Sequence, residues 1–468
     1  KRLRKRASTP RHRTNDRAHH YQVRSIIGPL DVRRCAIGTW YQASVLMLTF
    51  FTYMTYHLTR KPISVVKSVL HQNCSSLVPP PGTDPNDDQW CNWAPFNTTD
   101  ANTLLGTLDS AFLFSYAAAM FVSGMIAERV DLRYFLSLGM LMSAIFCYLF
   151  GIGRTYNIHN ISYYLLVQAG AGIAQTTGWP GTVAIVGKWF GNSKKGLIFG
   201  IWNSHTSLGN ILGTIMAAEY VDSDWSLSFI YPGLVMGAVG AVVWLFLPPE
   251  PQVVGLGSAV NNNRHSVRQT HSCDFCESRN LLPIFKIASF RVNKLFLLSF
   301  FLADLSARQS GELSTVFDVG GVTGAILAGL VADCTGCPAL VCVAFYTLFI
   351  YQYWGASSYA LNVVLLIITG MMVNGPYALI TTAVSAELGT HSSLAGNSKA
   401  LATVTAIIDG TGSVGAAIGP MLAGVVSGHS WSNVFYMLIA CNFMALFLLL
   451  RYLRQERRMA SPPRVRIE

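Results

Sequence analysis

The chain has 468 residues, 51% of them hydrophobic and only 12% charged, with a mean hydropathy of +0.38. Soluble domains carry about a quarter charged residues, so this composition excludes an ordinary soluble fold and makes lipid the solvent for most of the chain. The net charge of +11 does not signal a nucleic-acid partner, because Lys and Arg gather in the tails and in alternate loops.

Residues 1–39 are rich in Arg and His and hold no apolar core followed by a small-residue cleavage site. They read as a disordered basic cytoplasmic tail, not a signal peptide. Apolar runs then predict helical spans near 41–70, 103–127, 133–153, 161–188, 196–219 and 227–247. These six form an N-terminal bundle, 40–248, and recur at the roughly 20-residue length of a bilayer crossing, not as the short alternating segments of a barrel. A polar cytoplasmic loop, 249–294, separates them from spans near 311–333, 338–355, 359–386, 398–427 and 431–451. Only five spans are visible in the C-terminal bundle, 295–452, before a basic cytoplasmic tail, 453–468.

Basic residues mark cytoplasmic ends. They sit in both tails, at Arg129 and Arg133, at Lys188, Lys194 and Lys195, through 264–294 and at Lys399. The glycosylation acceptors Asn73-Cys-Ser, Asn97-Thr-Thr and Asn160-Ile-Ser all fall in loops of the opposite face. Both termini are therefore expected in the cytoplasm, which needs an even number of spans. The shortfall sits at residues 295–303, nine apolar residues that stop at Asp304. Nine helical residues cover about 13 Å of a hydrocarbon core about 30 Å thick. A truncated or missing seventh span, or a short re-entrant segment, is expected there.

Cys147, Cys342 and Cys441 lie inside spans, where a thiol packs as a small apolar group. Cys74 and Cys91 share the first long polar loop and have a disulfide open to them if that loop is luminal or extracellular. Cys273 and Cys276, near His265 and His271, suggest zinc or redox chemistry but come without a second cysteine pair. No Gly-x-x-x-x-Gly-Lys-Ser/Thr sequence is present. No metal, no cofactor, no ATP-driven pumping and no enzymatic activity are expected.

The two halves resemble each other, as in transporters built from repeated bundles. Gly178-Trp-Pro180 in span four answers to Asn374-Gly-Pro376 in the tenth position of a twelve-span scheme, and aligning Lys195 with Lys399 brings His205 opposite Asp409. Gly209/Gly213 and Gly415/Gly419 have the four-residue spacing that lets helices approach closely. The stretch Gly124-Met-Ile-Ala-Glu128-Arg129-Val-Asp131-Leu-Arg133 resembles the Gly-x-x-x-Asp-Arg-x-x-x-Arg loop of the major facilitator superfamily, with Glu128 in place of the Asp. An acid and two bases at this spacing can cap helix ends and clasp neighbours. A weaker copy, Gly329 to Asp333, lacks the arginines. Tyr56-His-Leu-Thr-Arg60-Lys61-Pro62, Gln175-Thr-Thr-Gly-Trp179-Pro180, Trp202-Asn-Ser-His205, Asp318-Val-Gly-Gly and Ala406-Ile-Ile-Asp409-Gly410 are similar to the sugar-phosphate exchangers, the glucose-6-phosphate transporter group of the organophosphate:phosphate antiporters. The resemblance runs from about Trp40 to Arg451. It implies an all-α membrane protein of two pseudo-symmetric bundles, nominally twelve spans, exchanging a small organic phosphate for inorganic phosphate, with an endoplasmic-reticulum address in most animal members.

A phosphate monoester carries about 1.5 to 2 negative charges and needs fixed cations inside a membrane cavity. Arg60 and Lys61 lie within span one, where ionisable residues are costly and usually functional. Arg60 comes first, because its fork can hold phosphate oxygens in pairs. Neighbouring helical residues point about 100° apart, so one of the two faces the cavity and the other a carboxylate or another helix, unless both snorkel to the luminal interface. His205 matches a span-five histidine of the bacterial glycerol-phosphate exchangers and can donate to phosphate, change charge or simply pack. Trp202, Tyr116 and Asp409 complete the expected substrate-binding set. Asp109, Asp318 and Asp409 are intramembrane acids able to pair with cations or fasten helices. Two departures stand out: Met120 occupies the place of a lysine in the bacterial exchangers, and the family's basic residue on span seven has no counterpart. A nontransporting membrane sensor or scaffold, or an inactive variant lacking span seven, is the rival reading.

Overall fold

A computed structural model describes residues 29–72, 74–79, 81–84, 86–88, 90–98, 100–190, 195–256, 307–335, 354, 358–379, 381, 400–427, 430, 432–441 and 444. Among these residues the structure is helical and holds no strand. The helices are α1 (Pro29–Arg60), α2 (Pro62–Leu70), α3 (Ala101–Ala127), α4 (Leu132–Thr155), α5 (Ile161–Gln175), α6 (Gly178–Phe190), α7 (Lys195–Tyr220), α8 (Leu227–Phe246), α9 (Ala307–Thr335), α10 (Tyr359–Leu379), α11 (Ala400–Ser427) and α12 (Ser432–Cys441). The short apolar run at 295–303, the inter-bundle loop beyond residue 256, most of the span expected near 338–355 and the C-terminal tail lie outside the described residues.

Residues 29–39, expected as disordered tail, belong instead to α1. Helix beyond lipid needs only a compatible sequence, and Pro29 in the first turn is pre-set in φ and gives up an N–H that would be unpaired anyway.

Two spans expected as continuous are broken. Span one stops at Arg60 and restarts at Pro62, a proline at the first helical position. Lys61 stands between, and its carbonyl accepts from the Ser64 N–H at 3.0 Å and from the Ser64 hydroxyl at 2.7 Å. Span four stops at Gln175 and restarts at Gly178. There the Thr176 and Thr177 hydroxyls donate to the carbonyls of Ile173 and Ala174, at 2.7 and 3.1 Å, so local side chains satisfy the interrupted backbone.

The outward faces show the solvent. On α4, Tyr134, Leu138, Leu141, Ile145 and Tyr148 are exposed, whereas Gly139, Ser143, Cys147 and Gly151 are buried. The outside is thus at least as apolar as the inside, the reverse of a water-facing amphipathic helix. Among the described residues five helical stretches, Thr103–Ala127, Leu132–Thr155, Leu227–Phe246, Gly311–Leu330 and Leu401–Ala423, are long and apolar enough to cross a membrane.

In the packing, α3 meets α5 and α11, α4 meets α5 and α8, α7 meets α8 and α9, and α9 meets α10. Helix α7 lies directly on α1: a Cβ at Gly209 or Gly213 would collide with the carbonyl oxygens of Met54 and Leu58. One apolar core joins α2 to α5, α7 and α8 through residues such as Val66, Leu108, Phe150, Tyr164 and Phe229, and a second joins α9, α10 and α12 through Phe317, Leu366 and Phe435.

Candidate functional site

The two helix breaks meet at Arg60. As the last residue of α1, it shares a helical face with Tyr56 one turn back and with Tyr53 and His57 two turns and one turn back. Its Nε donates to Gln175 Oε1 at 2.5 Å, and Gln175 in turn donates through Nε2 to Thr59 Oγ1 at 3.2 Å. The Tyr56 and Thr177 hydroxyls are 2.8 Å apart. The end of α5 therefore grips the end of α1. The guanidinium lies over the Tyr116 ring, 5.0 Å from its centroid, and 5.8 Å from that of Phe112. Its outer nitrogens, Nη1 and Nη2, are buried and have no hydrogen-bond partner among the described residues. A desolvated planar fork with two unmet donors fits a bidentate oxyanion.

Tyr116 and Asp409, from α3 and α11, come together: the phenol donates to Asp409 Oδ2 at 2.6 Å. Both side chains are buried. Arg60, Tyr116 and Asp409 thus form one group.

His205 and Trp202 form another. The His205 ring is fully buried, 4.5 Å from Trp202, 4.9 Å from Tyr53, 5.8 Å from Phe50 and 6.4 Å from His57, between centroids. Its Nδ1 lies 3.2 Å from Thr206 Oγ1, while Nε2 has no partner among the described residues. Trp202 Nε1 donates to Thr49 Oγ1 at 3.1 Å, and Trp179 packs between Tyr53 and Trp202. Tyr53, 5.8 Å from Tyr56, links this cluster to the Arg60 group.

The other acids and bases sort themselves differently. Asp109 is ion-paired with Lys67 of α2. Asp318 accepts from Asn210 Nδ2 at 3.2 Å, joining α9 to α7. Lys61 is half-buried at the break, and Met120 packs beside Gly410.

In the loop motif, Gly124 lets α11 approach, since a Cβ there would meet Ala406. Glu128 Oε1 accepts from the Thr403 N–H at 2.9 Å, which caps the N-terminus of α11. Arg129 is exposed, and the Arg133 guanidinium lies over Tyr134, 5.1 Å from its centroid. Neither forms an ion pair with Glu128 among the described residues. Gly329 faces Gly200 of α7. Asp333 lies near the end of α9, with its side chain outside the described residues.

In the first polar loop Cys74 and Cys91 are joined as a disulfide. Asn97 is exposed, and so is Asn160, which caps α5 by accepting from the Ser162 N–H at 2.9 Å. Asn73 lies outside the described residues.

Nothing in the sequence alone assigns an individual role to Gln175, Tyr53, Tyr56 or His57. The helical spacing of 53, 57 and 60, and of 56 and 60, is the signal that places the three α1 residues beside Arg60. For Gln175 the signal is a polar side chain immediately ahead of a Thr-Thr-Gly-Trp-Pro break.

Residues 43–304 match the family model described as Major Facilitator Superfamily. The chain belongs to that superfamily. Within it, this major facilitator is 45% identical to the glucose-6-phosphate exchanger SLC37A2 of Bos taurus, in an alignment taking in 90% of this chain and 96% of the relative. It is 44% identical to SLC37A2 of Homo sapiens, over 89% and 93%, and 39% identical to the glucose-6-phosphate exchanger SLC37A1 of Homo sapiens, over the same shares. The bovine alignment runs over 471 positions, more than the whole of this 468-residue chain, although only 90% of the chain enters it. The bovine relative therefore holds stretches that this major facilitator lacks.

Proposed function

We propose that this multi-pass membrane protein is a secondary-active antiporter that exchanges a sugar phosphate of the glucose 6-phosphate kind for inorganic phosphate by alternating access. The observation that carries the reading is Arg60: a buried guanidinium at a double helix break, held from one side by Gln175 and from below by Tyr116, with both outer nitrogens unmet. Broken helices near the middle of the membrane are where secondary transporters hold their substrates. The names of the relatives supply the substrate class.

In this reading Arg60 takes the phosphoryl oxygens and Lys61 adds charge one residue on. Tyr116 and Asp409 line the phosphate side, and Trp202 and His205 line the sugar side. The bundles 40–248 and 295–452, joined by 249–294, rock about the site. Glu128, with Arg129 and Arg133, fastens the cytoplasmic face, and Gly329 and Asp333 are its weaker counterpart. The protein resides in the endoplasmic-reticulum membrane with both termini cytoplasmic. The loop 72–99 is luminal, glycosylated at Asn73 and Asn97, with Asn160 as a further acceptor on the same face, and its Cys74–Cys91 disulfide suits that oxidising side.

The second reading, an inactive or sensing relative of the exchangers, is favoured by the stretches present in the bovine relative and missing here, together with the short apolar run at 295–303. Counter-flow of labelled inorganic phosphate into vesicles loaded with a panel of sugar and glycerol phosphates separates the two. Stimulation by internal glucose 6-phosphate supports exchange; uptake that no internal phosphate ester stimulates refutes it.

A further inference from the structure

Helices α3 and α11 meet along a seam in which three polar links stand out among the described residues. At one end Glu128 accepts from the Thr403 N–H at 2.9 Å; toward the other the Ser110 hydroxyl donates to the Ala417 carbonyl at 3.3 Å. Between them Tyr116 donates to Asp409 at 2.6 Å. Glycines bring the two helices close beside these links: a Cβ at Gly124 would collide with Ala406, and one at Gly410 would press on Met120 and the Ala117 carbonyl.

The middle link differs from the other two in kind. It joins two side chains, where each of the other two ends on backbone. It also reaches the anion site, because the Tyr116 ring is the surface on which the Arg60 guanidinium lies. Glu128 lies about 18 Å and Ser110 about 9 Å from Tyr116 along α3, at 1.5 Å per residue. Cation, ring and carboxylate are linked in sequence, the guanidinium over the ring and the carboxylate on its hydroxyl, from α1 through α3 to α11.

We propose that the Tyr116–Asp409 hydrogen bond is a substrate-released latch between the two halves of the chain, and that phosphate releases it by competing with Asp409 for the Tyr116 hydroxyl. This rests on Arg60 being the phosphate site. A phosphate held on Nη1 and Nη2 lies beside Tyr116, whose hydroxyl is then a third donor to it. The dianion also repels the Asp409 carboxylate across a buried, low-dielectric distance. Both effects oppose the Tyr116–Asp409 bond. With the phenol turned to phosphate, the centre of the seam loses its side-chain link; with the site empty, the link reforms. Phosphate binds better to the unlatched state and shifts the population toward it. A carrier so built changes conformation readily when loaded and poorly when empty, which is the physical basis of obligatory exchange.

The test uses the full-length chain. Tyr116→Phe keeps the ring under Arg60 and removes the hydroxyl; Asp409→Asn keeps an acceptor and removes the repelling charge. Efflux of preloaded labelled phosphate from proteoliposomes is measured into medium with and without phosphate. In the wild type, external phosphate accelerates efflux strongly. In Tyr116→Phe the phosphate-free efflux rises about tenfold relative to exchange, as expected for the loss of one net hydrogen bond. Asp409→Asn binds inorganic phosphate several-fold more tightly than wild type, because a competing anion is gone. Hydrogen–deuterium exchange across Tyr116 and Asp409 gives a second readout that needs no transport: adding inorganic phosphate raises exchange in the wild type and leaves Tyr116→Phe unchanged. If phosphate binds in an Arg60-dependent way while both variants keep the wild-type efflux ratio and seam exchange, the latch is refuted and the site stands. If wild-type protein shows no phosphate binding, the reading of Arg60 fails and the latch fails with it.

Discussion

Replacing Arg60 by alanine should abolish phosphate binding while leaving the protein folded. The two outer nitrogens are buried and unmet by protein among the described residues, so each is available for a charge-assisted bond to phosphate. At about 1.5–3 kcal/mol per such bond, two are worth about 3–6 kcal/mol. That converts to an affinity loss of roughly 10² to 10⁴. The folded state loses the contact with Tyr116 and leaves Gln175 Oε1 without its donor, at about 1–3 kcal/mol, and it sheds the desolvation cost of a buried charge, which offsets part of that loss. Arg60→Lys keeps the charge yet cannot hold Gln175, lie flat on Tyr116 and offer two parallel donors together. It should remain at least about tenfold weaker than wild type, one bond of the two being lost. Equilibrium binding of labelled phosphate to the purified chain, with thermal unfolding as the control for folding, measures both variants. An alanine variant that binds phosphate within about threefold of wild type would refute the assignment.

Glu128→Ala removes the cap of α11 and should cost about 1 kcal/mol of stability, read by thermal unfolding, with Glu128→Gln retaining most of it; equal stability of the alanine variant would deny Glu128 that part. Glycosidase treatment of protein from a eukaryotic host should shift its mobility, and removing Asn73 and Asn97 together should remove most of the shift. Labelling of residues 72–99 from the cytoplasmic side of sealed vesicles would overturn the topology. If the short apolar run 295–303 does not complete a spanning helix, exchange per molecule should fall well below that of the bovine relative, and matching rates from the isolated monomer would refute that expectation.

Arg60 stands out in the sequence because a charge inside an apolar run is expensive and therefore rare. The breaks do not: the runs 41–70 and 161–188 stay apolar through Pro62 and Pro180, and a proline at the start of a new helical segment leaves the hydrophobic run unbroken. The partners are another matter. Gln175 lies 115 residues from Arg60 and Asp409 lies 293 residues from Tyr116, and nothing in the intervening pattern joins them. In a soluble helix the apolar stripe shows which face is buried, but α4 is apolar outside as well as inside, so hydrophobic period says little about which helices touch. The same gap explains Asp109. It reads in the sequence as an intramembrane acid able to pair with a cation or fasten helices, but its pairing with Lys67 depends on how α2 leans on α3 after the break. The loop motif around Glu128 was readable as a helix cap, while the helix it caps, α11, is set by tertiary packing alone.

The most direct test of phosphate-linked exchange is heteroexchange by the purified chain in proteoliposomes, comparing wild type with Arg60→Ala. Labelled inorganic phosphate should enter vesicles loaded with glucose 6-phosphate faster than empty vesicles, and the alanine variant should abolish the difference. Uptake that ignores the internal sugar phosphate, or that persists unchanged without the Arg60 guanidinium, would contradict the account.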